Sequence, residues 1–219
     1  MSENNNSNFD RALDVISETA LSFKSHNLTP PHVTIFGSAR FKPGNHHYDE
    51  TVKLARILSK AGWPIMSGGG PGIMEAANQG ATEGGSLSMG ATIKLPFEQK
   101  GNDFLQFATE HKYFFVRKYF LMTKARGIVA FPGGFGTLDE INEYLTLVQC
   151  KKIKNDVPVV LVSKSFWEPF VNYLKNTLLA EGTISEEDLK LIHIVDSADE
   201  AAEFLLDQFQ KHGITPPVK

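Results

Sequence analysis

The strongest constraint on the fold of this chain is its alternation of short apolar runs with segments of helical periodicity. The runs are continuous rather than alternating in polarity, which is typical of strands covered on both faces. They occupy 33–36, 64–66, 87–93, 128–131, 157–162 and 192–195. Helical spacing fills 49–61, 72–81, 113–125, 138–148, 166–179 and 198–209, with an extra leading helix over 8–25. This order predicts an α/β fold with a single doubly wound parallel sheet and helices on both of its faces.

A chain of 219 residues is long enough for one sizeable domain, and it contains no internal repeat or linker. We therefore expect a disordered N-terminus over 1–8, a single Rossmann-like domain over 9–212 and a C-terminal tail over 213–219. The polar N-terminus lacks the apolar core of a signal peptide, and no apolar run reaches the roughly 20 residues that span a bilayer. The expected location is the cytoplasm, with no membrane partner.

Charge and cysteine content exclude several classes of partner and site. The formal net charge of −3 offers no electrostatic footprint for a nucleic-acid polymer. Cys150 is the only cysteine, so neither an intrachain disulfide nor a cysteine-based zinc site is possible. His46, His47 and His111 lack the spacing of metal ligands, so surface positions are expected for them and no metal site is predicted.

Three of the predicted strands end in loops that contain glycine, at 37–38, 68–72 and 133–136. In a parallel sheet these ends open on one edge, where ligands bind at the switch in strand order. Glycine lets the backbone approach a ligand, and the first N–H groups of the following helix can hold an anion. Ile73 and Asp139 occupy the last glycine position of G-x-G-x-x-G, and no P-loop motif is present. The loops therefore predict a phosphate site that is neither of the dinucleotide nor of the NTP type.

The charged residues near these loops leave alternatives open. Arg117 and Lys118 lie within an apolar segment, where two cations are costly to bury without partners. They either reach the surface by snorkelling or meet an anion, which is a phosphate or a carboxylate. Thr137 and Glu140 match a capping box, in which Thr caps a helix and Glu bonds back to the Thr amide. Their residue types favour this structural role. The other interpretation is a carboxylate that activates water or stabilises an oxocarbenium ion.

Three further polar residues follow predicted strand ends. Glu98 is a lone acid and is typical of a solvated loop. Glu75 and Asn78 lie one helical turn apart after the second glycine loop. They are interpreted as residues that help to start that helix.

Taken together, these motifs resemble the LOG family, the cytokinin riboside 5′-monophosphate phosphoribohydrolases, many of which carry the older label "lysine decarboxylase-like". The resemblance runs from about residue 33 to residue 195. It rests on residues 132–140, which match P-G-G-x-G-T-x-x-E, and on Arg117-Lys118 upstream. Segments 68–77 and 95–99 are similar to the longer bacterial branch of the family.

The resemblance implies hydrolysis of a purine nucleoside 5′-monophosphate, either AMP or an N6-substituted cytokinin form, to the free base and ribose 5-phosphate. It implies no metal and no organic cofactor, and it makes 9–212 a nucleotide-binding catalytic domain. Arg117 and Glu140 would form the catalytic pair. The residues that would contact the substrate are Gly37, Ser38, Glu98, Lys118, Gly134, Phe135, Gly136, Thr137, Leu138, Asp139 and Thr146. A homodimer or an assembly of dimers is expected, because the helices over 113–122 and 138–148 are more apolar than one sheet face can bury.

The sequence also departs from the family pattern. The family often has Met-His shortly before Arg-Lys, where this chain has Phe114-Phe115-Val116. Tyr and Glu are also common in the family at the positions that this chain fills with Phe135 and Asp139. These positions are expected near the base or the ribose, so the choice of base stays open. The main alternative function is a non-catalytic nucleotide-binding or sensing module on the same fold. A lysine decarboxylase would need a lysine that holds pyridoxal phosphate, and no lysine lies in a recognisable context for that.

Overall fold

The computed structural model describes residues 3–95, 100–153 and 157–218, with side chains from residue 8 onward. Within these ranges the strands are β1 (His32–Phe36), β2 (Ile65–Ser67), β3 (Ser88–Ile93), β4 (Phe107–His111), β5 (Ala125–Ala130), β6 (Val159–Val162) and β7 (Ile192–Val195). The helices are α1 (Glu3–Leu28), α2 (His46–Lys60), α3 (Ile73–Gly84), α4 (Phe114–Met122), α5 (Phe135–Gln149), α6 (Lys164–Tyr173), α7 (Glu186–Leu189) and α8 (Ala198–Lys211). A π-helical segment, Leu174–Leu179, continues α6.

The strands form one parallel sheet in the order β4-β3-β2-β1-β5-β6-β7. From β1 the chain builds outward to β4 and then returns to the other side of β1 with β5. The pairing of Thr34 with Met66 on one side and with Ile128 on the other shows β1 at the centre of this reversal. The switch in strand order therefore lies between β1 and β5, where ligands of open α/β sheets bind.

Apolar cores cover both faces of the sheet. Val33 and Ile35 of β1 point into the core formed with α2, α3 and α8. Phe36 points to the opposite core, to which α4, α5 and α6 contribute side chains such as Tyr144 and Trp167. The predicted α/β class, with a doubly wound parallel sheet and helices on both faces, is confirmed.

Two elements differ from the expectation. Strand β4 was not predicted, because its residues alternate between half-buried and exposed and it pairs only with β3 in the described sheet. Helix α1 begins at Glu3, so residues 3–8 are helical where the sequence predicts disorder. A helix that has already nucleated gains one hydrogen bond for each residue it adds, which lets a polar end continue it.

The expectation of a surface position for His111 is wrong. Its side chain is 1% exposed, because α1 packs over β4 and α4. Ser22 of α1 lies with its Oγ 3.3 Å from Nδ1 of this histidine. Burial lowers the pKa of His111, with Glu18 acting in the opposite direction.

Candidate active site

Backbone hydrogen bonds join the three glycine-containing loops at the carboxyl edge of the sheet. The N–H of Ser38 donates to the carbonyl of Pro132, and the N–H of Ile73 donates to the carbonyl of Ser38, both at 3.0 Å. Gly72 has a φ of +70°, and a Cβ on it would lie 2.4 Å from the oxygen of Ser38. The loops after β1, β2 and β5 are therefore tied together, and the second loop needs glycine at this position.

These loops open onto a cavity of about 710 Å³. That volume lies within the usual range for small-molecule sites and accommodates a nucleotide. Loop backbone, apolar side chains and a few charged groups line it. The lining residues are Gly37, Ser38, Ala39, Arg40, Phe41, Gly68, Met74, Ile93, Leu95, Phe114, Arg117, Pro132, Gly133, Gly134, Phe135, Gly136, Thr137, Leu138, Glu140 and Phe166.

Arg117 of α4 and Glu140 of α5 form a buried ion pair in the cavity wall, with residue exposures of 7% and 8%. Nη1 of Arg117 donates to Oε1 of Glu140 at 3.3 Å, and Nε donates to the carbonyl of Ala91 at 2.7 Å. A Cβ on Gly68 would lie 2.2 Å from Nη2 of Arg117. The glycine of the second loop therefore makes room for the guanidinium, which three elements hold in place.

Burial sets the protonation of this pair. It raises the pKa of Glu140 to about 7, while the neighbouring Arg117 cation acts in the opposite direction. It also lowers the pKa of Arg117, opposed by the attraction of Glu140. A carboxyl whose pKa lies near neutrality exchanges its proton at the working pH of most enzymes, and such groups cluster at functional sites.

The capping-box interpretation of Thr137 and Glu140 is wrong. Helix α5 begins earlier, with Gly134 as its N-cap and no side-chain capping bond. Thr137 is the third residue of the helix, and Glu140 lies in its second turn, where it points to Arg117. The chain turns at Gly133, where a Cβ would lie 2.1 Å from Oγ1 of Thr137. The first turn of α5 has no side-chain cap and lines the cavity, so its backbone N–H groups are available to an anion.

The structure brings most of the predicted site residues together. Gly37, Ser38, Gly134, Phe135, Gly136, Thr137 and Leu138 line the cavity with the Arg117–Glu140 pair. Phe135 is 92% exposed at its rim. Glu98 lies outside the residues that the structure describes.

Lys118, Asp139 and Thr146 do not belong to the cavity wall as far as the described residues form it. Lys118 lies 3.2 Å from Asp139 and also contacts Glu143, so it ties α4 to α5. The hydroxyl of Thr146 donates to the carbonyl of Asn142 on the exposed side of α5. Arg117 and Lys118 both contact carboxylates. Of the two alternatives for these cations, the structure therefore shows pairing with an anion.

Arg40 is a cavity residue that the sequence reasoning missed. It follows β1 in the first loop, its backbone N–H donates to Oγ of Ser38 at 3.2 Å, and its side chain is exposed at the cavity. Within the described ranges its guanidinium has no carboxylate partner, unlike the guanidinium of Arg117 and the ammonium group of Lys118. A cation three residues after the glycine that follows β1 was the available signal.

Asn78 has a larger role than the start of a helix. It is fully buried, and its Oδ1 accepts hydrogen bonds from Ser67 at 2.6 Å and from Asn102 at 2.9 Å. Its Nδ2 donates to Ser88 and to the carbonyl of Met89. Oγ of Ser67 and the amide of Asn102 in turn bond to the backbone of the second glycine loop. Asn78 therefore fixes the loop against which Arg117 packs.

Among the described residues, no group of three or more His, Cys, Asp or Glu side chains is placed to hold a metal ion. No helix in those parts of the chain combines the length and the apolar character needed to cross a membrane.

Comparison with known proteins gives one family and several relatives. The family model described as "possible lysine decarboxylase" matches residues 74–205. The cytokinin riboside 5′-monophosphate phosphoribohydrolase LOG of Oryza sativa subsp. japonica is 29% identical over 176 residues, which cover 78% of this chain and 69% of that protein. LOG2 of Arabidopsis thaliana is 25% identical over 172 residues, or 76% of this chain and 78% of that protein.

A solved structure shows the same fold. It is the molybdenum cofactor binding protein from Rippkaea orientalis, with a TM-score of 0.59 and 20% identity. The match covers 82% of this chain and 97% of that one. At this identity the likeness concerns the fold alone.

Proposed function

This chain belongs to the LOG family, whose model carries the description "possible lysine decarboxylase", and we propose that it hydrolyses the N-glycosidic bond of a purine nucleoside 5′-monophosphate. The products are the free base and ribose 5-phosphate. The observation that carries the proposal is the buried Arg117–Glu140 pair in the wall of a cavity that also contains an uncapped helix start. Two relatives are named as phosphoribohydrolases of a nucleoside 5′-monophosphate, which supports this reaction class.

In the proposed complex, the 5′-phosphate lies on the backbone N–H groups over 134–137, at the start of α5. The positive end of the helix dipole and the free N–H groups both favour a phosphate there. Arg40 supplies a full positive charge from the loop after β1. That loop bonds directly to Pro132 through Ser38, so both groups belong to one wall of the cavity.

Breaking the bond between C1′ and the base nitrogen leaves positive charge on the ribose. In the proposed mechanism, the carboxylate of Glu140 stabilises this charge and orients a water at C1′. The water oxygen bonds to C1′ as the bond from C1′ to the base nitrogen breaks. Glu140 takes the proton that the water loses and passes it to the departing base nitrogen. Acid–base assistance of this type contributes roughly 10²- to 10⁴-fold to a rate.

Arg117 has a positioning role in this mechanism. Its hydrogen bond to Ala91 and its packing against Gly68 hold the guanidinium, and the guanidinium holds Glu140. Its charge also opposes the effect of burial on the pKa of Glu140. Without that charge, the carboxyl would be protonated to a higher pH and less available as an anion.

The base is proposed to lie among aromatic side chains at the rim. Phe41, Phe114, Phe135 and Phe166 all line the cavity, and three of them are largely exposed. Stacking of a base on an aromatic ring is worth about 1–3 kcal/mol. An apolar rim of this kind accepts both adenine and an N6-substituted adenine, so the substrate is one or both of these monophosphates.

The test is a product assay. The protein is incubated with AMP and with an N6-substituted AMP, and chromatography follows the release of free base and ribose 5-phosphate. Adenosine, ADP and ATP are run in parallel. We expect release from monophosphates and much slower release from adenosine, because binding energy from the phosphate orients the reacting centre. Binding of AMP without release would favour the non-catalytic nucleotide-binding module, and equal kcat/KM for AMP and adenosine would exclude the phosphate site.

A further inference from the structure

Segment 101–105, between β3 and β4, binds the backbone of the second glycine loop. The N–H of Asn102 donates to the carbonyl of Gly69 at 2.9 Å, and Nδ2 of its side chain donates to the carbonyl of Gly70 at 3.1 Å. Oδ1 of Asn102 accepts from the N–H of Phe104 at 3.2 Å. This residue therefore holds two consecutive carbonyls of the loop, and its own segment fixes the direction in which the amide points.

The amide of Asn102 also contacts the buried side chain of Asn78. Nδ2 of Asn102 donates to Oδ1 of Asn78 at 2.9 Å, and Nδ2 of Asn78 donates to the carbonyl of Met89 in β3. Both protons of the Asn102 amide thus have acceptors, one in the loop and one in a network that ends on β3. A primary amide supplies these two donors together with the acceptor, which neither a hydroxyl nor a carboxylate does.

The side chain of Leu105 packs over the place where the second glycine loop meets β3. A Cβ on Gly69 would lie 3.5 Å from Cδ1 of Leu105, and a Cβ on Gly90 would lie 2.6 Å from Cδ2. The same Cβ on Gly90 would lie 3.0 Å from the Cα of Gly69. Loop and strand are therefore in backbone contact, and segment 101–105 covers that contact with Leu105 and ties it with Asn102.

Both glycines at this contact are next to an anchor of Arg117. Gly68 precedes Gly69, and a Cβ on it would lie 2.2 Å from Nη2 of the guanidinium. Ala91 follows Gly90, and its carbonyl accepts from Nε of Arg117 at 2.7 Å. A movement of the loop away from β3 therefore changes the distance between the two surfaces that hold the guanidinium.

Asn102 and Leu105 act on the reacting groups through these anchors. Neither residue belongs to the cavity wall as far as the described residues form it. The guanidinium that they support donates to Oε1 of Glu140 at 3.3 Å. A displacement of about 1 Å among groups that position a reaction can cost about 100-fold in rate.

We propose that Asn102 is a positioning residue, which holds the second glycine loop against β3 and thereby places the guanidinium of Arg117 against Glu140. Leu105 supports the same contact without a hydrogen bond. The inference rests on the proposed function, because it concerns the pair to which the reaction is assigned. It adds a residue outside the described cavity wall whose loss affects the reaction rather than the binding of substrate.

The first test replaces Asn102 with leucine, which has a similar size and no hydrogen-bonding group. The kcat for AMP should fall about 10-fold. KM should change by less than about twofold, because Arg40 and the start of α5 keep their positions. Asn172→Leu is the matched control, since Asn172 is exposed on α6, and its kcat should equal that of the wild type. A folded Asn102→Leu with wild-type kcat, or with a loss confined to KM, overturns the proposal.

Leu105→Ala keeps every hydrogen bond of Asn102 and tests the same contact if Asn102→Leu does not fold. In both variants, the pH at which kcat/KM rises should move upward from the wild-type midpoint near 7, because a displaced Arg117 opposes the protonation of Glu140 less. A loss of folded protein alone would lower the rate at every pH and leave the midpoint in place. An unchanged midpoint in variants with reduced kcat therefore overturns the positioning role.

Titration of Glu140, followed by NMR of its side-chain carboxyl carbon, needs no substrate, and Glu140→Gln identifies the signal. The pKa of Glu140 should be higher in Asn102→Leu and in Leu105→Ala than in the wild type, and unchanged in Asn172→Leu. If no monophosphate releases its base, the proposed function fails while this titration still decides the positioning role. Equal pKa values in all of these proteins, with base release by the wild type, would leave the function standing and refute the role of Asn102.

Discussion

Replacing Glu140 with glutamine removes one negative charge from the buried pair and keeps the size of the side chain. An oxygen remains at the position that accepts the 3.3 Å hydrogen bond from Nη1 of Arg117. If the carboxylate stabilises positive charge on the ribose, turnover of a monophosphate should fall by at least about 10²-fold. Binding of the monophosphate should persist, because the proposed phosphate contacts lie at Arg40 and the start of α5.

The raised pKa of Glu140 gives this prediction a pH dependence. With a pKa of about 7, roughly one tenth of the carboxyl is ionised at pH 6 and roughly nine tenths at pH 8. The kcat/KM of the wild type should therefore rise about tenfold over this interval. Glu140→Gln should lack this rise. Ionisation of the substrate phosphate affects both proteins equally, so their ratio isolates the carboxyl.

Thermal unfolding separates catalysis from folding. The pKa of Glu140 is higher in the folded chain than its ordinary value of 4.5, so the folded state holds an extra proton between about pH 4.5 and 7. The stability from this proton is present below pH 4.5 and is lost as the pH rises through 7. Glutamine does not titrate, so the Tm of Glu140→Gln relative to wild type should increase between pH 5 and pH 8.

The assay is the initial rate of base release by chromatography, at substrate concentrations well below KM. A folded Glu140→Gln that keeps near-normal turnover at pH 8 would remove Glu140 from the mechanism, and Glu98 would be the first carboxylate to test in its place. A wild-type profile that is flat from pH 6 to 8 would refute the raised pKa.

Three further predictions address the groups around this pair. Arg40→Ala should raise KM for AMP about 10- to 100-fold with a smaller change in kcat, since a hydrogen bond to a charged group contributes about 1.5–3 kcal/mol; an unchanged KM would exclude Arg40 from the phosphate site. Gly68→Ala should displace the guanidinium of Arg117, since the new Cβ would lie 2.2 Å from Nη2, and this displacement should lower kcat about 10-fold. An unchanged kcat would show that the Arg117–Glu140 pair tolerates the shift. Asn78→Ala should leave several buried polar groups unpaired and lower the free energy of unfolding by about 1–3 kcal/mol, which corresponds to a Tm loss of about 2–12 °C. Differential scanning calorimetry measures this loss, and an unchanged Tm would contradict a supporting role for the Asn78 network.

Elements whose own residue pattern identifies them were predictable. The apolar runs predicted β1 and β6, for example, because strands covered on both faces are apolar throughout. Strand β4 lies at the edge of the described sheet, and its alternating burial depends on neighbours that the local sequence does not specify. The start of α5 was placed three residues too late, because Thr137 resembles a cap while Gly134 takes that position in the structure.

The sequence by itself determined the α/β class and the gathering of glycine loops at one sheet edge, since both follow from local patterns and from parallel topology. Only the tertiary structure decided the partners of the charges. Arg117 pairs with Glu140, and Lys118 with Asp139, because the fold sets α4 beside α5. Arg40 has no such partner, since no carboxylate of the described residues lies within ion-pair distance of its guanidinium. The energy of a charge depends on its desolvation and its neighbours in space, and a single sequence specifies neither.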